Sequence, residues 1–67
     1  MKVMLRRHAD GNLFVYVAKK DLEEVVVEDT ITDTGHILTL ANGWQLETSD
    51  HLESLSLPQT ITAKRLN

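Results

Sequence analysis

The residues that could do chemistry in this chain are few. Three histidines, His8, His36 and His51, are the only nitrogen ligands, and there is no cysteine. A transition-metal centre needs three or four imidazole, thiolate or carboxylate donors converging on one point. These histidines fall in separate loops or strand starts without ligand spacing. They read as solvated surface side chains, and no metal site or cofactor is expected. Carboxylates are plentiful, and Glu23-Glu24 and Glu28-Asp29 are sequence neighbours. Neighbours on a strand point to opposite faces, so neither pair converges for general acid–base work. No Ser/His/Asp grouping stands out, and there is no phosphate-binding glycine loop, nucleophile elbow or HExxH. A core this small has little room to bury and perturb a titratable group. No catalytic residue is assigned, and the expectation is a non-enzyme.

Binding chemistry is better represented. The formal net charge is −3, from seven Lys/Arg and ten Asp/Glu. That sign disfavours general nucleic-acid affinity, which needs a basic surface. The basic residues are Lys2, Arg6, Arg7, Lys19, Lys20, Lys64 and Arg65, while the nine acidic residues from Asp21 to Glu53 have no basic residue among them. If the last strand pairs with the first, Lys2, Arg6, Arg7, Lys64 and Arg65 form one patch. Lys19 and Lys20 would then lie at its margin, with the acidic residues opposite. The competing reading is two solvated, like-charged ends. Phe14 and Tyr16 face outward if Leu13, Val15 and Val17 face inward. Beside Lys2 and Arg6 they can stack a base or anchor a partner, unless the Ser49–Leu57 connection covers them. Trp44 reads as core. The partner-binding set is therefore Lys2, Arg6, Arg7, Phe14, Tyr16, Lys64 and Arg65.

Short strands must position these side chains. Lys2–Arg7 and Leu13–Val17 alternate with period two and flank His8–Asn12, which predicts a hairpin with Leu5 opposite Val15. Ala18–Glu24 is a polar connection with room for one helical turn. Val25–Thr32 is a third strand, ended by Asp33-Thr34-Gly35. His36–Leu40 and Trp44–Thr48 flank Ala41-Asn42-Gly43. A three-residue loop there sets Leu40 opposite Trp44 and Leu38 opposite Leu46, with Gly43 at positive φ. Ser49–Leu57 is a longer connection in which Ser49 can cap a helical turn bearing Leu52 and Leu55. Thr60–Arg65, after Pro58, is the last strand.

About six short strands at this spacing predict an all-β chain, a single domain over residues 1–67 folded as a closed or partly open barrel, since closure removes exposed edges. The inward residues are expected to be Val3, Leu5, Leu13, Val15, Val17, Val25, Val27, Ile31, Leu38, Leu40, Trp44, Leu46, Ile61 and Ala63. No apolar run approaches the roughly 20 residues that span a bilayer. The start of the chain is too short and charged for a signal peptide. A cytoplasmic location is expected.

Several blocks resemble the NifT/FixU family of nitrogen-fixation accessory proteins. They are Met1-Lys2-Val3-Met4-Leu5-Arg6-Arg7, Tyr16-Val17-Ala18-Lys19-Lys20-Asp21-Leu22-Glu23-Glu24, Leu40-Ala41-Asn42-Gly43-Trp44-Gln45-Leu46-Glu47 and Leu57-Pro58-Gln59-Thr60-Ile61-Thr62-Ala63-Lys64-Arg65-Leu66. They occur in the family's order and span nearly the whole chain. Ala18 stands where the family usually has proline, and Thr30–Ile37 lacks its Trp-Gly-Gly. The resemblance implies a small β-barrel with an accessory role in nitrogenase maturation or cofactor assembly. It supplies no catalytic residue. The leading expectation is a module that binds a protein partner; the alternatives are a small nucleic-acid-binding barrel and a metallocluster carrier.

Overall fold

Alternation of apolar and polar residues builds the first strand, β1 (Lys2–Arg7), whose Val3 and Leu5 are buried while its remaining side chains are exposed. The structure is a computed structural model that describes residues 1–49, 52 and 56–66. β2 (Leu13–Val17) pairs antiparallel with β1, setting Leu5 opposite Val15 and Arg7 opposite Leu13, as the pattern requires. After one 3-10 turn, Ala18–Lys20, the chain enters β3 (Leu22–Thr32), then β4 (Gly35–Leu40) and β5 (Gln45–Thr48). β6 (Gln59–Thr62) and β7 (Lys64–Arg65) complete one sheet of order β6-β1-β2-β3-β4-β5-β7. Among the described residues no helix is long and apolar enough to cross a membrane.

The last stretch of chain nearly closes the sheet. Gln59–Thr62 lie against β1, with Ile61 opposite Val3, and Lys64 and Arg65 lie against β5. Between them Ala63 exchanges two 2.7 Å backbone hydrogen bonds with Met1. One segment thus belongs to both ends of the sheet, and the predicted single last strand is divided at Ala63. That division makes seven strands where the pattern suggested six. Inside, Val3, Leu5, Val15, Val17, Leu38, Leu40, Leu46, Ile61 and Ala63 form one buried cluster. Burying each larger apolar side chain there contributes about 1.5–3 kcal/mol, the main favourable term in so small a core.

The β4–β5 turn follows its prediction. Leu38 faces Leu46, Leu40 N–H donates to Trp44 O, and Gly43 N–H donates to Leu40 O. Gly43 has φ +96°, the left-handed conformation that a glycine adopts at the end of such a bulged turn.

β3 departs from expectation. Asp21, at φ 47°, reverses the chain straight after the 3-10 turn, so the strand starts at Leu22 instead of Val25. The pairing then shifts between Val26 and Glu28, leaving Val27 as an extra residue. Inward positions are therefore Leu22 and Val26, both packed against the core, and not Val25 or Val27. Val25 lies beside Phe14 on the outer face, and Val27 is 62% exposed. Ile31 is 76% exposed because β2 accompanies β3 only as far as Val25. Glu28 and Asp29 lie on this unaccompanied length, where charge discourages pairing with another chain.

His36 overturns the expectation of a surface histidine. It is 3% exposed, and its Nδ1 lies 2.7 Å from Asp29 Oδ1. The proposed helical turn after Ser49 falls largely on Asp50, His51 and 53–55, outside the described residues. Leu52 and Leu57 do pack against the core.

Candidate partner-binding surface

Cross-strand pairing sorts the outer face of β1, β2 and β3 into rows. Met4, Tyr16 and Glu23 form one row, and Arg6, Phe14 and Val25 the next. Both predicted aromatics do face outward, half-buried within the sheet surface. The Arg6 guanidinium grips Glu23 Oε2 through Nε at 2.9 Å and Nη2 at 2.6 Å. The pair is solvent-exposed, so its stabilising effect is under about 1 kcal/mol, but it largely cancels the charge of Arg6. Glu23 belongs to the acidic middle of the chain, so the acidic residues do not all lie opposite the basic ones. The His8 ring stacks on Phe14 with centroids 3.7 Å apart and 22° between planes. Tyr16 donates its hydroxyl to Asp21 Oδ1 at 3.0 Å. That hydrogen bond, and then the charge of Asp21, raises the phenol above its ordinary 10.0; burial and Glu23 add to the rise.

The cations do not gather in one patch. Arg7 turns back to donate to Gly11 O at 2.9 Å, within its own hairpin. Lys64 lies in register with Glu47 across the β5–β7 pair. Arg65 places its guanidinium 3.8 Å from the centre of the Trp44 ring, and Lys20 Nζ lies 5.9 Å from the same ring. Lys2 meets Lys19 and Lys20 around a depression floored by Met1, Val17 and Ala18. The two lysines that the sequence reading put at the margin are thus drawn to the start of β1. Arg6 and Arg7 stand at the other end of that strand.

Trp44 is half-buried against the core with cations over its exposed side. Sequence spacing gave no sign of this, because Lys20, Trp44 and Arg65 are remote in the chain and meet only on closure. Among the described residues no three His, Asp or Glu side chains converge as metal ligands. His8 lies outside on Phe14 and His36 inside against Asp29; His51 is outside the described residues.

Residues 1–63 match the family model described as NifT/FixU protein. The chain belongs to the NifT/FixU family. It is 40% identical over 67 residues to the FixU homolog of Sinorhizobium fredii, covering 98% of this chain and 87% of that protein. It is 39% identical over 66 residues to FixU of Rhizobium leguminosarum bv. trifolii, covering 97% and 93%. Likeness to NifT of Azotobacter vinelandii is 39% over 66 residues, covering 94% and 90%. NifT/FixU proteins are associated with nitrogen fixation, so the resemblance in the four sequence blocks identified the family correctly.

Proposed function

We propose that this chain, acting as one β-barrel domain in the cytoplasm, is a non-enzymatic accessory protein that binds a protein partner in nitrogenase maturation or cofactor assembly. The observation that carries this reading is the outer face of β1–β3. It presents Met4, Arg6, Phe14 and Tyr16 together, with Met4 38% exposed. Methionine, aromatic residues and arginine are the side chains enriched where proteins meet. Lys2, Arg7, Lys64 and Arg65 supply charge around it. Base stacking is less well supported, because each aromatic is engaged: Phe14 with His8, Tyr16 with Asp21 and Trp44 with Arg65.

The test is affinity purification of the tagged chain from nitrogen-fixing cells, beside a Met4→Asp, Tyr16→Ala variant that retains the wild-type circular dichroism spectrum. An identified nitrogenase-maturation protein should be enriched with the wild type and lost with the variant. Failure to enrich any such protein rejects the role.

A further inference from the structure

We infer that the depression between the start of β1 and the Ala18–Lys20 turn receives an acidic segment of a partner protein, one carrying an apolar side chain between carboxylates. This rests on the protein-binding reading above and adds a further contact, at the start of β1, and the chemistry that it selects.

Charge gives the first argument. Of the seven cations, Arg6 is paired with Glu23, Arg7 is bound to its own loop, Lys64 stands opposite Glu47 and Arg65 covers Trp44. Among the described residues Lys2, Lys19, Lys20 and Lys64 form no ion pair; Lys64 has Glu47 in register across the strands, and Lys20 lies over the Trp44 ring. A chain of net charge −3 thus keeps three of its four lysines together at one spot, none of them in an ion pair among the described residues. Such a local positive field in a negative molecule attracts and orients an anionic partner.

The floor gives the second argument. Between the lysines lie Met1, Val17 and Ala18, and Met1 is 43% exposed. Methionine adapts its shape to an incoming apolar group. An aliphatic floor accommodates an apolar side chain and offers nothing for a nucleotide base to stack on. Trp44, the ring over which Lys20 lies, already has the Arg65 guanidinium on it. Charge rim and apolar floor together select a peptide with one hydrophobic residue flanked by Asp or Glu.

Rigidity gives the third. In a 3-10 turn successive side chains are about 120° apart, so Lys19 and Lys20 splay to different sides of the depression. Asp21 closes that turn by donating its N–H to Ala18 O at 3.2 Å, and its carboxylate is held by the Tyr16 hydroxyl at 3.0 Å. Lys2 is fixed on a strand opposite Thr62. The backbone that carries the rim is set before the partner arrives, which lowers part of the ordering cost of binding.

The test is an amide-resolved NMR titration of the full chain at low salt with a synthetic peptide bearing one leucine between glutamate pairs. Parallel titrations use the peptide with serine for leucine, and oligothymidylate. The expected result is shifts confined to Lys2 and 17–20, weakening as salt rises. Binding should fall by about ten-fold or more in a folded Lys19→Glu, Lys20→Glu variant and with the serine peptide. Absence of shifts there, equal binding of the serine peptide, or tighter binding of oligothymidylate overturns the inference. The same variant taken through the affinity purification separates the two readings. If it still retains the maturation protein, this docking site is wrong while the accessory role stands. If the wild type retains none but the peptide response holds, the site stands and the role falls.

Discussion

His36 and Asp29 are joined inside the β3–β4 hairpin, Nδ1 to Oδ1, at 2.7 Å. The other ring nitrogen, Nε2, accepts the Leu52 N–H at 3.4 Å, so the proton must sit on Nδ1, which donates to the carboxylate. Asp29→Asn keeps an acceptor and should be nearly neutral. Asp29→Ala deprives a buried N–H of this acceptor. The Asp29 side chain is 39% exposed, so water replaces it in part and the cost should be about 1 kcal/mol. Urea unfolding of the two variants measures the difference; equal stabilities would deny the hydrogen bond its role.

Gly43 and Gly35 should respond differently to alanine. A Cβ on Gly43 meets nothing within 4 Å, so Gly43→Ala costs only backbone strain, about 1 kcal/mol. A Cβ on Gly35 would collide with the carbonyl of Thr48, which is backbone and has no free rotation to escape. Gly35→Ala should cost roughly 3 kcal/mol or prevent folding. Denaturant midpoints rank the two, and the reverse order would contradict the close approach of β4 to the end of β5.

Trp44 is the only tryptophan, so its fluorescence reports its surroundings alone. Removing the guanidinium 3.8 Å from its ring, by Arg65→Ala, uncovers the indole to water. The emission should shift to longer wavelength, with a stability loss of about 0.5–1 kcal/mol. An unmoved spectrum would mean that Arg65 does not cover the ring in solution.

Tyr16 is likewise the only tyrosine, and phenolate absorbance follows it without interference. Its midpoint should lie above 10.0, because the protonated hydroxyl donates to Asp21. Since the folded-state value is raised, the contribution to stability is complete below pH 10 and is lost as pH climbs through the raised midpoint. Asp21→Asn should return the midpoint toward 10.0. A wild-type midpoint at or below 10.0 would remove the Tyr16–Asp21 bond from the account.

Local rules in the sequence determined most of the strands and two of the turns. Period-two alternation set Leu5 opposite Val15, and the Asn42-Gly43 signal with its neighbouring leucines set Leu38 opposite Leu46, because both depend on residues near in the chain. The likeness to NifT/FixU was legible too, being carried by residue order. Tertiary structure decided what depends on distant partners. Pairing with Phe14 put Val25 on the outer face, the extra residue left Val27 exposed, and Ile31 is exposed where β3 runs on past the end of β2. His36 became buried because β5 and Leu52 approach it. The basic residues were divided by closure: Ala63 passes the chain from β1 to β5, bringing Arg65 to Trp44, while the turn after β2 carries Lys19 and Lys20 to Lys2. Charge along a sequence fixes how many cations there are. Which of them stay unpaired is set by the cross-strand contacts, and those exist only once the sheet has closed on itself.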